Sequence, residues 1–353
     1  MKLTTAALAT LLVLSTPLPA EAQTFDEKID VNVVLIDAVV TDPKGNQILG
    51  LTKDDFIVKE NGNAIPVDSL DYFTNRQLLS GREEDAPFKV ERVREERYFI
   101  FFFDKPPAGV LWDQVALARN NATTFIRERM LPGDQVAVAG HDVRLKVYSD
   151  FTSNKEQLER ALAEVGNFGK GLTKPTSDVA SASILRHIDA KMMMNKTGTV
   201  YQAIDLLADA TRNIRARKNL VVFSPGIHEP GEETRNGVLL NRSRYYQPMI
   251  ASLNTANVAV YTINIRKDQA SDPVIHQTLD NLASETGGEY FRQVVTFTPI
   301  LERIDRTNAG YYLLSYRTSR EKGVSGFQSV NVSLRNNDLR VKARPGYSYG
   351  DLR

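Results

Sequence analysis

The chain contains no cysteine. Disulfides, iron–sulfur clusters, thiolate nucleophiles and a lipid-modified cysteine are excluded together. The core must therefore be held by packing alone. Histidine is scarce too. His141, His187, His228 and His276 sit on four separate segments, without the spacing that sets two imidazoles on one helical face for a metal. No Gly-x-Ser-x-Gly elbow is present, which removes the commonest signature of a serine hydrolase on an α/β sheet. Asp104-Lys105-Pro106-Pro107-Ala108-Gly109 has the wrong residues for a phosphate-cradling loop. Neither sign of charge dominates: 44 Lys+Arg stand against 43 Asp+Glu, a formal charge of +1. That balance gives no reason to expect nucleic acid or an acidic membrane as partner.

What is present begins with a leader. Lys2 supplies a positive start, Leu3 to Leu14 an uncharged apolar run, and Pro17 and Pro19 a break. Ala20-Glu21-Ala22 offers small residues for cleavage before Gln23. The apolar run is shorter than the roughly 20 residues a membrane span needs. Residues 1–22 therefore read as a cleavable signal peptide. The mature protein is expected to be exported, periplasmic or extracellular, and soluble, with no membrane span after cleavage. Its length of 353 residues leaves room for more than one domain.

Residues 23–75 read as an N-terminal β segment. Val31, Val33 and Leu35 alternate with their neighbours, and Glu60-Asn61-Gly62-Asn63 is a hairpin signal. Residues 76–97, rich in charge and broken by Gly81 and Pro87, read as a solvated linker. From residue 98 to 309 strands and helices alternate. Tyr98 to Phe103 is a continuous apolar run, as expected of a strand buried on both faces. Leu111, Val115, Ala118, Ala122, Phe125 and Ile126 recur at helical spacing, as do Val200, Ala203, Ile204, Leu207 and Ala208. Asn219 to Ser224 and Val258 to Ile265 repeat the buried-strand pattern. Such alternation predicts a mostly parallel, doubly wound α/β sheet covered by helices on both faces. After Tyr311 only strand patterns remain, so residues 310–353 read as a C-terminal β segment closed by a turn at Pro345-Gly346. Each end segment holds too few strands to be stable alone. The two are expected to pair as a small β-sandwich with the α/β unit inserted between them.

Several stretches in this order resemble one family. They are Val39-Val40-Thr41-Asp42-Pro43-Lys44-Gly45, Leu51-Thr52-Lys53-Asp54-Asp55-Phe56, Pro132-Gly133-Asp134-Gln135-Val136-Ala137-Val138, Asp150-Phe151-Thr152, Val260-Tyr261-Thr262-Ile263, Thr286-Gly287-Gly288 and Arg344-Pro345-Gly346-Tyr347. Together they resemble the VWFA-related domain proteins of the acidobacterial type, a branch of the von Willebrand factor A superfamily. The resemblance implies an A-type domain and a metal-ion-dependent adhesion site. In that site an Asp-x-Ser-x-Ser strand end, a loop Thr and a later Asp surround one Mg²⁺-like ion with hard oxygen donors. Asp104 stands at the strand end, but Pro106 and Ala108 occupy the serine positions and Pro225 the later Asp position. Thr199 could match the loop Thr. The site reads as degenerate, no cofactor is expected, and Asp104 and Thr199 are the residual candidates should Mg²⁺ bind.

Other chemistry finds less support. Ser224 with a histidine could form a hydrolase site on paper, but no elbow accompanies it. Met192-Met193-Met194 reads as packing, because three consecutive residues cannot share one helical face. Asn121-Ala122-Thr123 and Asn241-Arg242-Ser243 match the short glycosylation pattern. The polar stretch from His228 to Arg244 follows the strand ending at Ser224, and long polar loops on a rigid scaffold often carry recognition. The expectation is a non-enzymatic binding or scaffolding protein. It would contact a protein or envelope ligand through Asp104, Lys105, Thr197, Thr199, Ser224, His228 and Glu229. The alternatives are a metal-dependent adhesin with non-standard donors and a hydrolase.

Overall fold

The computed structural model describes residues 29–74, 92–93, 96–104, 112–166, 169–177, 182–227, 232–235, 238–266, 273–292, 296–321 and 324–350. The expected signal peptide and most of the expected linker lie outside these residues. The N-terminal segment supplies β1 (Ile29–Thr41), β2 (Phe56–Glu60), β3 (Asn63–Ile65), β4 (Ser69–Thr74) and β5 (Arg92–Val93). The last of these was expected to be linker. Instead Arg92 and Val93 pair in parallel with Tyr72 and Phe73.

The middle of the chain follows as β6 (Tyr98–Asp104), α1 (Trp112–Glu128), β7 (Gln135–His141), β8 (Leu145–Thr152), α2 (Lys155–Glu164), α3 (Ala190–Asn195), α4 (Val200–Ala210) and β9 (Lys218–Ser224). It continues with β10 (Glu233–Arg235), β11 (Val238–Asn241), α5 (Tyr246–Thr255), β12 (Val258–Asn264), α6 (Pro273–Ser284), β13 (Glu289–Phe291) and α7 (Thr298–Thr307). Six strands form one sheet in the order β13-β12-β9-β6-β7-β8, parallel throughout except for β8. Every residue of β6, β7, β9 and β12 is buried. The reason is the alternation of side chains along a strand. Tyr98, Ile100 and Phe102 pack beneath α4 and α5, while Phe99, Phe101 and Phe103 pack beneath α1, α2 and α7. A strand covered on both sides needs apolar residues at every position, which is the run seen in the sequence.

The C-terminal segment supplies β14 (Gly310–Glu321), β15 (Gly326–Leu334), β16 (Arg340–Ala343) and β17 (Gly346–Tyr349). The last is a strand where only a turn was expected, because Gly346–Tyr349 pairs with β15. The two terminal segments interleave. β14 lies antiparallel between β1 and β4 in a five-stranded sheet ordered β16-β1-β14-β4-β5, with Ile36 opposite Leu314. β15 lies between β17 and β2 in a four-stranded sheet, with Val58 opposite Val332. Both sheets contribute to one apolar cluster of Val34, Ile36, Phe56, Val58, Tyr312, Leu314 and Val330. Neither segment has the strands to bury this cluster by itself.

The β unit seats on the end of the central sheet where the parallel strands begin. Gly287 has φ +75, and a Cβ there would lie 2.9 Å from the Ala343 carbonyl carbon. At Gly288 a Cβ would lie 1.9 Å from the Val260 carbonyl oxygen. The Thr286-Gly287-Gly288 motif is thus a point where backbones meet too closely for a side chain. The Arg344 guanidinium donates to the carbonyls of Asn254 (2.6 Å) and Leu35 (2.5 Å), and Asn257 donates to Asp37. At the same end Arg97 grips Asp134 through Nε (2.9 Å) and Nη2 (2.6 Å) and reaches Asp305 through Nη1 (2.6 Å). Arg97 was expected to end a solvated linker, yet it is buried. Its charge is tolerated there because two carboxylates and directed hydrogen bonds replace water. With one end of the sheet covered, the opposite end, where β6, β9 and β12 terminate, is left for function.

Candidate functional site

Four adjacent strands end on a buried polar residue. Asn264 of β12 is level with Ser224 of β9, and Asp104 of β6 is level with His141 of β7. Phe103 pairs with Phe223, which sets Asp104 and Ser224 side by side. The row Asn264–Ser224–Asp104–His141 runs across the C-terminal ends of the strands, the edge at which open α/β sheets place ligands.

Each member of the row has a defined partner. Ser224 Oγ donates to Asp104 Oδ2 at 2.6 Å and accepts from the Gly226 amide at 3.0 Å. Asn264 Oδ1 accepts from the Arg266 amide at 2.9 Å. The imidazole of His141 donates from Nε2 to the Thr197 carbonyl at 3.1 Å. Burial holds His141 below the usual histidine range, outweighing the Thr197 carbonyl and Asp142 that favour the cation.

The threonines are occupied by structure. Thr197 Oγ1 accepts from the Leu145 amide at 2.9 Å and donates to the Met193 carbonyl. Thr199 is the N-cap of α4: its Oγ1 accepts from the Gln202 amide at 3.2 Å, and Gln202 returns the bond as a capping box. Such a cap satisfies an amide that the helix cannot.

Of the seven residues singled out from sequence, Asp104 and Ser224 are brought into contact, and Thr197 joins the row through His141. Thr199 stands two residues on, committed to α4. Lys105, His228 and Glu229 lie outside the described residues. The stretch after Ser224, expected to be loop, contains the antiparallel pair β10–β11. Beside it Tyr201 donates to Glu232 at 3.0 Å, and the Arg242 guanidinium lies 4.3 Å from the Tyr246 ring centre. Sequence reasoning missed Asn264; it expected His141, which follows a strand, at the same edge as Asp104, and the two are level there. The signal for both was the polar residue that closes each buried apolar strand, but the register aligning them is tertiary.

The described residues alone do not supply the donors of a Mg²⁺-like ion. Octahedral coordination asks for several converging oxygens. Here one oxygen of Asp104 accepts a hydrogen bond from Ser224, and both threonine hydroxyls are engaged elsewhere. Among the described residues no three His, Asp or Glu side chains converge as a metal cluster. Among the described residues no histidine is bonded to Ser224. Ser224 is fully buried and bonded to a carboxylate, while His141 faces a carbonyl. The remaining histidines among the described residues are apart: Asn213 stands 3.5 Å from His187, and His276 bonds Tyr290. The methionine run is confirmed as packing at Met193, which is buried, whereas Met194 is exposed. Asn121 lies within α1, its amide bonded to the Leu117 carbonyl at 2.8 Å and its carbonyl to Thr298 at 2.6 Å. That leaves no extended loop for glycosylation at this position.

No family model matches the chain, and no curated protein matches it. Solved structures overlap parts of it. A point mutant of the PilB minor pilin from Streptococcus sanguinis is 11% identical over 61% of this chain, with a TM-score of 0.39; the chain spans only 63% of that structure. The conserved hypothetical protein BatB from Bacteroides thetaiotaomicron is 14% identical over 60% of this chain and 97% of its own, with a TM-score of 0.38. Proximal thread matrix protein 1 from the mussel byssus, with a zinc-occupied MIDAS motif, is 10% identical over 61% of this chain and 48% of its own, with a TM-score of 0.38. At such scores none of these assigns a family or a function. What stands is a mixed α/β fold with a mostly parallel central sheet flanked by antiparallel sheets. Among the described residues no helix is long and apolar enough to cross a membrane.

Proposed function

We propose that the chain is an exported, non-enzymatic binding or scaffolding protein of the von Willebrand factor A type, in the acidobacterial style its sequence motifs suggest. Its A-type domain sits on a small β-sandwich made by the two ends of the chain. It recognises a protein partner through the loops that follow β6 and β9 and the turn before α4, and it does so without a divalent ion. The observation that carries this reading is the 2.6 Å bond from Ser224 to Asp104. The carboxylate best placed to hold an ion is instead tied to a neighbouring strand end. The hydroxyls of Thr197 and Thr199 serve the β7–β8 turn and α4. A site whose oxygens are consumed internally supplies shape and hydrogen-bonding backbone rather than a Lewis acid.

The test is a thermal melt of the full mature chain in EDTA and in millimolar Mg²⁺ or Mn²⁺. The expected outcome is the same Tm in all three. An ion-dependent rise that disappears in Asp104→Ala would replace this reading with a metal-dependent adhesin using non-standard donors.

A further inference from the structure

The flank of the central sheet at β8 carries a second surface, distinct from the row Asn264–Ser224–Asp104–His141. β8 is the outermost strand. Described parts of the chain between α2 and α4 lie against it. The Leu172 amide donates to the Val147 carbonyl at 2.6 Å, and Asp150 accepts from Ser183 (2.6 Å) and the Ile184 amide (2.8 Å). Arg144 Nε donates to the Met194 carbonyl at 2.6 Å, joining the β7–β8 turn to α3.

Three properties coincide on this surface. The first is charge. Arg144, Lys146, Lys170, Lys191 and Lys196 lie on it, the last three exposed. Asp142, Asp189 and Glu164 oppose them. Asp142 is neutralised by Lys146 at 2.8 Å, Asp189 caps α3 by accepting from the Met192 amide, and Glu164 ends α2. The flank thus sets five cations against three acids on a chain whose total is +1. The second is apolar exposure. Val143 is 74% exposed and Met194 61% exposed, and Arg144 bonds the carbonyls of both. The third is strain. Val143 has φ +83, a conformation that a β-branched residue resists. Strain of this kind persists where the position serves something other than stability.

We propose that this flank is a docking face for an acidic protein segment bearing apolar side chains. Charge complementarity selects the acidic partner and speeds its approach. The apolar pair selects polypeptide over other polyanions. A sulfated or phosphorylated polymer would satisfy the lysines and leave Val143 and Met194 in water, whereas protein interfaces set apolar contacts inside a charged rim. The proposal rests on the protein-binding reading of the chain, but on different residues. Asp104→Ala interrogates the loops at the strand ends, and the variants below interrogate only the flank.

The experiment measures binding of the full mature chain to four probes: a random glutamate–tyrosine copolymer, poly-glutamate, heparin, and vesicles rich in phosphatidylglycerol. The copolymer is expected to bind tightest, about tenfold tighter than poly-glutamate, the factor given by some 1.4 kcal/mol of apolar contact. Lys170→Glu with Lys191→Glu should weaken both polypeptides at least about tenfold, since reversing two charges turns attraction to repulsion. Val143→Gly with Met194→Gln should erase the copolymer's advantage and leave poly-glutamate unchanged. Val143→Gly alone should raise Tm, because glycine accepts positive φ without penalty. A weaker copolymer affinity in variants carrying Val143→Gly therefore cannot be ascribed to unfolding at that position. Equal affinity for the two polypeptides, tighter binding to heparin or vesicles, no binding of the copolymer, or indifference to either variant pair would overturn the proposal.

Discussion

Removing the Ser224 hydroxyl tests the reading of the strand-end row most directly. The side chain is fully buried, its hydroxyl donates to a buried carboxylate at 2.6 Å, and its oxygen accepts from the Gly226 amide at 3.0 Å. A hydrogen bond to a charged group contributes about 1.5–3 kcal/mol, and losing the acceptor of a backbone amide costs roughly 1 more. Ser224→Ala should therefore destabilise by about 2–4 kcal/mol, the larger end applying because the carboxylate stays buried while it loses a donor. For a unit of this size about 2–4 °C accompanies each kcal/mol, so Tm should fall by roughly 5–15 °C. Urea titration should show a lower midpoint at unchanged slope. Combining Ser224→Ala with Asp104→Ala then isolates the pair, and a coupling of about 1–3 kcal/mol is expected between groups in direct contact. A Ser224→Ala protein within about 0.5 kcal/mol of the parent, the range typical of inert surface changes, would refute the reasoning. So would strict additivity with Asp104→Ala, since neither outcome permits the bond that ties up the carboxylate.

Two further outcomes follow from the geometry. Gly288→Ala places a Cβ 1.9 Å from the Val260 carbonyl oxygen, which is backbone and cannot move aside. The cost should reach about 3 kcal/mol or more, read as loss of folded protein or a collapsed urea midpoint; a near-parental midpoint would show that the backbones do not meet there. His141 is held below its ordinary value of 6.5 by burial, so the unfolded chain binds its proton more readily than the folded one. The stability it confers is complete above about pH 6.5 and is lost as pH falls through the lowered folded value. Tm should drop between pH 7.5 and 5.5, and His141→Gln should flatten that slope; an identical slope in the variant would place the titrating group elsewhere.

Much of the architecture was legible in the chain because burial writes itself into composition. Tyr98 to Phe103 could only be a strand covered on both faces, and the stripe through Val200, Ile204, Leu207 and Ala208 could only be a helix lying on one. The exclusions were equally local: without cysteine no disulfide can form, whatever the fold. Elements whose sequences carry weak periodicity escaped. β5 and β17 exist because a longer neighbour offers its edge, and α7 and the β10–β11 pair were not signalled by apolar spacing. Asp104, Thr199 and Ser224 were visible as candidates, but their roles were not. A serine and an aspartate 120 positions apart become partners only when β6 and β9 pair in register. A threonine becomes a helix cap rather than a ligand only when α4 begins beside it. Arg97 looked like one more charge in a solvated run until Asp134 and Asp305, from two other elements, closed around it. The sequence by itself determined which segments must be buried, since transfer of apolar surface out of water depends on side chains alone. The tertiary structure decided what the polar residues do, because a hydrogen bond depends on distances that only the packed chain sets.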